Sequence, residues 1–302
     1  MANTTFQGPV RSEGGFRVIS KNSTTGAITT GTALSTVGAH LDSATVTGTT
    51  TVLGNSGTDA IIGKGSHNGV VANPYAESAT QLFPLGTMLR YGNNVYRYGK
   101  MGAGAVTAGK LVQNVVHEGA DHKNMTATAA VAAGLYEISV ETNGTDLTLD
   151  EYAGGYLYVN DVAGEGQTFR VKSHPAHDHS DDPSVVITTF DPVATALTTS
   201  SQLTIVKDPY SGLIVAPHAE TGRVMGATVR DMQASYFGWF VVEGPQSLLT
   251  QGTVVVGNAI TRATGTTDGA VQAAGDDVST VVGECMVVNP TTEYSLIWLN
   301  IN

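Results

Sequence analysis

The sequence predicts an all-β protein: two or three small antiparallel β-barrel or β-sandwich modules with an extended N-terminal arm. Three observations carry this expectation. Gly is abundant and only 14% of residues are charged, against roughly a quarter in ordinary soluble domains. That mixture, rich also in β-branched Thr and Val, favours pleated strands and tight turns. Short apolar or alternating runs then recur along the chain, separated by Gly, Asp, Asn, Ser and Pro, the spacing of sandwiches and barrels. Finally, no stretch shows the sustained amphipathic pattern of a long helix. At 302 residues the chain exceeds the ~100 to 200 residues of one domain, so several modules are expected.

Residues 1–60 are read as the arm. Runs such as Ser23-Thr24-Thr25 and Thr49-Thr50-Thr51 carry few large apolar groups to bury, yet their β-branched character suits a segment that orders by pairing with another strand. Its larger apolar side chains, Phe6, Val10, Phe16, Val18 and Ile28, are the candidate contact residues. Residues 61–125 form a β module in which Leu82 to Tyr91 and Val95 to Tyr98 flank Gly92-Asn93-Asn94 as a hairpin, with a further strand over 110–116.

Residues 126–212 read as a sandwich-like module with strands at 135–140, 156–159, 167–171, 185–189 and 202–206. Within it the Ala-rich 126–134 suggests a short helix or loop, and 191–197 a single helical turn. Residues 213–302 read as a small C-terminal barrel with strands at 213–216, 225–229, 236–242, 246–249, 254–256, 279–288 and 294–301, punctuated by glycines as tightly turned barrels are. On the strand at 236–242, Phe237 and Trp239 alternate with Tyr236 and Phe240, so at least one face is expected to be core.

The formal net charge of −11 and pI near 5.0 argue against binding a phosphate backbone, which needs basic patches. No apolar run approaches the ~18 to 20 residues that cross a bilayer. Neither nucleic acid nor membrane is therefore expected as a partner. Cys285 is the single cysteine and reads as a buried apolar thiol within Val281 to Val288.

Motifs that imitate chemistry fail on their details. Gly104 to Lys110 has the glycine and lysine spacing of a phosphate-binding loop, but Leu111 stands where Ser or Thr must hold magnesium and a strand is expected to follow. Ser173 to Asp182 gathers His174, His177 and His179 with three carboxylates. These are ligand types for a divalent metal, yet Pro175 and Pro183 bracket what reads as a solvated loop. His177 and His179 are the weak metal candidates there, because residues two apart project together from an extended segment. Glycines 63, 65 and 69 match a dinucleotide loop only by number, and acids such as Glu118, Asp121, Asp150 and Glu151 read as surface groups. No catalytic residue, cofactor or enzymatic activity is expected.

Several segments resemble virion structural proteins of marine tailed phages, especially cyanophage-type capsid decoration or cement proteins. They are Thr5 to Phe16, Phe83-Pro84-Leu85-Gly86, Tyr96-Arg97-Tyr98, Ala108 to Leu111, Tyr236-Phe237-Gly238-Trp239, Gly244-Pro245 and the closing Gly283 to Ile301 stretch. The resemblance implies a non-enzymatic protein, commonly trimeric, that binds the major capsid protein on the outer surface of the virion and stabilises the head. Residues 1–10 lack the basic start and apolar stretch of a secretory signal, so synthesis in the host cytoplasm is expected. Three readings compete: a tail, head-fibre or other host-surface-binding protein; a major capsid shell protein, whose usual long spine helix has no counterpart in this sequence; and a carbohydrate-binding module or glycan-active enzyme on a similar β scaffold.

Overall fold

The structure, a computed structural model, describes residues 72–301 except 118–120, 183 and 276–279, together with Thr24, Thr25 and the backbone of five short strands before residue 72. Cα packing separates residues 1–50 from residues 51–302. In the first unit, β1 (Phe16–Lys21) and β2 (Ile28–Leu34) pair antiparallel with a register shift between Arg17 and Ile19. In the second, β3 (Ala60–Ile62) is followed by the paired β4 (Ser66–His67) and β5 (Val70–Val71). Then come β6 (Glu77–Ser78), β7 (Met88–Tyr91), β8 (Asn94–Lys100) and β9 (Leu111–Gln113). No helix occurs among the described residues, and the chain is all-β as expected.

After β9 the chain leaves this sheet to build a closed six-stranded barrel. Its strands are β10 (Met125–Ala127), β11 (Glu137–Glu141), β12 (Tyr156–Asp161), β13 (Thr168–Ser173), β14 (Ser184–Thr189) and β15 (Gln202–Val206), in the order β10-β11-β14-β13-β12-β15. The period-2 alternation of strands decides what fills it. Ile138, Val140, Leu157, Val159, Phe169, Val171, Val185, Ile187, Leu203 and Ile205 point inward and are buried, while Tyr156, Tyr158 and Val186 on intervening positions remain exposed. Each large side chain moved wholly out of water stabilises the barrel by about 1.5 to 3 kcal/mol before ordering costs.

The segments read as a short helix or loop (126–134) and as a single helical turn (191–197) pair with each other against this barrel instead. Val131 and Leu197 exchange backbone hydrogen bonds at 2.8 and 3.0 Å, and Gly134 and Val193 bond to Val193 and Leu135 respectively. Val131, Val193 and Leu197 are thereby buried. Apolar burial against the barrel core outweighs the weak helix preference of an Ala-rich stretch.

The chain re-enters the sheet at β16 (Ile214–Val215), which pairs with β9 through Ile214 opposite Gln113 and Val215 opposite Val112. The remaining strands are β17 (Val224–Thr228), β18 (Phe237–Leu249), β19 (Ala259–Arg262), β20 (Val271–Ala273), β21 (Val281–Val287) and β22 (Tyr294–Asn300). They form one curled sheet with β3 and β6 to β9. Two stretches read separately in the sequence, 61–125 and 213–302, thus share a sheet.

The 13-residue β18 is the seam of that sheet. Its first half pairs with β8, from Phe237 opposite Lys100 to Glu243 opposite Val95, and its second half pairs with β22. Both faces of the first half are core. Trp239 packs in tilted and edge-to-face contact with Phe83 and Tyr98 at centroid distances of 5.1 Å, while Phe240 packs on the other side with Met101, Val106, Val112, Leu213, Met225 and Met232. Residues 254–256, read as a strand, instead end in a turn bonded to Cys285, and Cys285 itself is buried.

Candidate binding groove at the barrel–sheet junction

Because β9 and β16 are paired neighbours, the two linkers that carry the chain out to the barrel and back run side by side. Asn114 to His117 lie on the outgoing linker and Lys207 to Tyr210 on the returning one. Three adjoining concavities follow this junction. The first is walled by both linkers and Tyr152. The second shares Asn114 and Pro209 with it and adds Arg97, Tyr210, Arg223, Val224, Met225 and Ile301. The third shares Arg223, Val224 and Ile301 with the second and adds Glu220, Arg262 and Thr280. Of the chain's 15 Lys and Arg residues, Arg97, Lys207, Arg223 and Arg262 line this groove, against two acids, Asp208 and Glu220.

Each end of the groove is neutralised internally. Lys207 Nζ lies 2.8 Å from Glu151 Oε1 and 5.6 Å from the Tyr152 ring centroid. Burial raises the Glu151 carboxyl, but the Lys207 ammonium and the Thr148 N–H and hydroxyl together hold it below its usual range. Arg262 is buried with its Nη2 2.7 Å from Glu220 Oε1, and its Nη1 donates to Gln113 Oε1 at 3.3 Å. Desolvation lowers its pKa.

The centre differs. Arg97 Nη1 donates to the Gly86 carbonyl at 3.0 Å, and among the described residues neither Arg97 nor Arg223 has a carboxylate partner. Both line the concavity with Tyr210; burial pushes its phenol up, Arg97 and Arg223 pull it down, and Asp208 pushes it up. Asn114 fixes the strand end beneath them, its Oδ1 accepting the Arg223 N–H at 2.7 Å and its Nδ2 donating to the Val115 carbonyl at 3.0 Å. Asp208 is buried and accepts the Tyr210 N–H at 2.8 Å; burial raises its carboxyl against the opposing pull of that bond and of Arg170.

The residues singled out from the sequence lie elsewhere. Phe6 and Val10 are outside the described residues. Phe16 and Val18 fall on β1 and Ile28 on β2, strands that pair with each other. The His-rich segment is less solvated than expected. His174 is buried, its Nε2 accepting the Tyr152 N–H at 3.0 Å while its Nδ1–H donates to the Pro175 carbonyl at 2.9 Å. His177 and His179 do converge, on the Thr142 hydroxyl at 3.0 and 2.9 Å. Among the described residues no group of three or more His, Cys, Asp or Glu side chains is placed to hold a metal.

Leu111, after the phosphate-loop look-alike, opens strand β9. Glu118 lies outside the described residues; Asp121 accepts a bond from the Thr145 hydroxyl, Asp150 accepts the His174 N–H and Glu151 pairs with Lys207.

A second surface is apolar rather than charged. Where β18, β22 and β21 run together, direct cross-strand partners share the outer face: Pro245, Trp298 and Glu284 in one row, Ser247, Leu296 and Val287 in the next, and Leu249 beside Tyr294. Tyr294, Trp298, Met286 and Val287 are between 40% and 51% exposed, apart from Trp298 at 39%. The turn carrying the exposed Val255 and Val256 is tied to this region by the Gly257 N–H to Cys285 carbonyl bond. Comparison with protein-family models, with curated proteins and with solved structures gives no match for this chain.

Proposed function

We propose that this chain is a capsid decoration protein, a cement that binds the outer surface of a major capsid lattice as a homo-oligomer and stabilises the head by contact, without catalysis. The observation that carries the reading is the apolar outer face of β18, β22 and β21. Water-facing strand positions are ordinarily polar, and a face on which Tyr294, Trp298, Met286 and Val287 are exposed, with Glu284 and Ser247 interspersed, has the aromatic and Met enrichment of a protein–protein contact. The strand that carries it, β18, is anchored by a first half packed on both faces. The sequence resemblance to phage decoration proteins supplies the identity of the lattice, and an N-terminal arm adding strands to it would supply further adhesion.

The test is binding of the purified chain to heads stripped of it, followed by co-sedimentation. Trp298→Glu places a charge at the centre of the patch without disturbing the inward-facing Ile297 and Leu299. It is expected to lower head occupancy at least tenfold, since a truncated central aromatic typically costs about 2 kcal/mol or more, while leaving circular dichroism unchanged. Unaltered occupancy would refute this face as the contact. Absence of any binding by the unmodified chain, with attachment to tails or to host cells instead, would refute the decoration reading itself.

A further inference from the structure

We propose that the central concavity of the junction groove is a binding site for a short acidic, apolar peptide segment, whose carboxylate is clamped between Arg97 and Arg223. The inference is independent of where the chain resides. A protein of net charge −11 repels acidic partners at long range, yet here Arg97 and Arg223 line one concavity with Tyr210 and neither forms an ion pair with a carboxylate of the described residues. Elsewhere along the groove Lys207 and Arg262 have their own acids, so the unbalanced charge is confined to the middle. Guanidinium pairs present forked donors that match a carboxylate in two-point geometry.

The rest of the lining decides what carries that carboxylate. Pro209, Val224, Met225 and Ile301 supply aliphatic walls to a cavity of about 590 Å³, room for a few residues of chain. A sugar acid would bring hydroxyls that need partners. The amide of Asn114, the one side-chain amide lining the cavity, already has its oxygen bonded to the Arg223 N–H and one N–H to the Val115 carbonyl, leaving it few sites for the several hydroxyls of a sugar. Aliphatic side chains flanking a Glu or Asp fit the walls, which also include Tyr210.

The experiment uses the full chain with nitrogen-15-labelled arginine and follows the Nε–Hε resonances during titration with a blocked Leu-Glu-Leu peptide. Saturable shifts of the Arg97 and Arg223 signals, weakened by added salt and absent with the Leu-Gln-Leu analogue, are expected. Arg223→Gln should reduce affinity about tenfold or more, as loss of a charge-assisted hydrogen bond does. Arg97 also anchors the Gly86 carbonyl, so Arg97→Lys, which keeps the charge but loses the fork, is the paired variant and should weaken binding with the melting temperature unchanged. Equal binding of the Gln analogue would overturn the carboxylate clamp. Preferential binding of glucuronate or of inorganic phosphate would overturn the peptide assignment, and no shift with any of these probes would overturn the site.

Discussion

Replacing Leu157 by Ala tests the barrel at its centre. Leu157 lies on β12 between Phe169 of β13 and Ile205 of β15 and has no solvent exposure. A closed barrel is braced on every side, so its walls cannot collapse into the void. The lost transfer free energy and the unfilled cavity therefore add, placing the cost in the upper part of the ~2 to 5 kcal/mol range of Leu→Ala changes in cores. Tyr158, the next residue, points outward and is 36% exposed, so Tyr158→Ala should cost less than ~1 kcal/mol. Urea unfolding followed by far-ultraviolet circular dichroism measures both. The reasoning fails if the two variants cost the same, because a strand slipped by one residue would exchange their faces.

Three further outcomes follow from particular contacts. Burial raises the folded pKa of Asp208 above its unfolded value, so its contribution to stability is full below ~3.9 and is lost as pH rises through the folded value. Asp208→Asn, which keeps the acceptor for the Tyr210 N–H, should raise the melting temperature at pH 7, with the gain vanishing near pH 3; a pH-independent difference would contradict this. A Cβ on Gly155 would stand 2.1 Å from the Val206 carbonyl oxygen, whereas one on Gly92, the left-handed turn residue between β7 and β8, would meet nothing. Denaturant titration should show Gly155→Ala costing at least ~2 kcal/mol and Gly92→Ala only the ~1 kcal/mol of its backbone conformation; the reverse order would refute the packing argument. Deleting residues 2–30 should leave the melting transition of the remaining chain in place while abolishing head binding, and full occupancy by the truncated chain would sink the role assigned to the arm.

Five of the six barrel strands, β11 to β15, were legible because each is a short run with apolar residues at its inward positions, as in Glu137–Glu141 and Thr168–Ser173; β10 (Met125–Ala127) was not, because three residues beside an Ala-rich stretch are too few to show alternation. The hairpin of β7 and β8 was legible for the same reason, with Gly92 and Asn93 at its turn. β18 was read as two strands because Gly244 and Pro245 ordinarily punctuate one. It continues because its pairing partner changes there, from β8 to β22, and because Gly244 lets the Asn93 and Asn94 backbone approach closely. Alternation also cannot reveal that Tyr98 and Trp239, distant in the chain, are opposite one another, since pairing partners are set by tertiary packing.

The groove left no local signal at all. Arg97 lies on β8, Arg223 just before β17 and Tyr210 on the linker returning from the barrel; pairing of β8 and β17 with β18 and the return of that linker bring them together. The apolar outer face was half visible, as alternate Tyr294, Leu296 and Trp298, but an alternating strand does not disclose which face is covered. His174 illustrates the converse: a residue in a polar, Pro-bracketed run is buried because Tyr152 and Pro175 satisfy both ring nitrogens.

The most direct measurement of the central claim is an electron cryo-microscopy map of the virion to which the proposed function assigns this chain. The account predicts density for the six-stranded barrel and curled sheet on the outside of the head, with the β18–β22–β21 face turned toward the capsid lattice or a neighbouring copy. Density on the tail or within the shell, or a head-bound chain whose Trp298 face is turned to solvent, would contradict it.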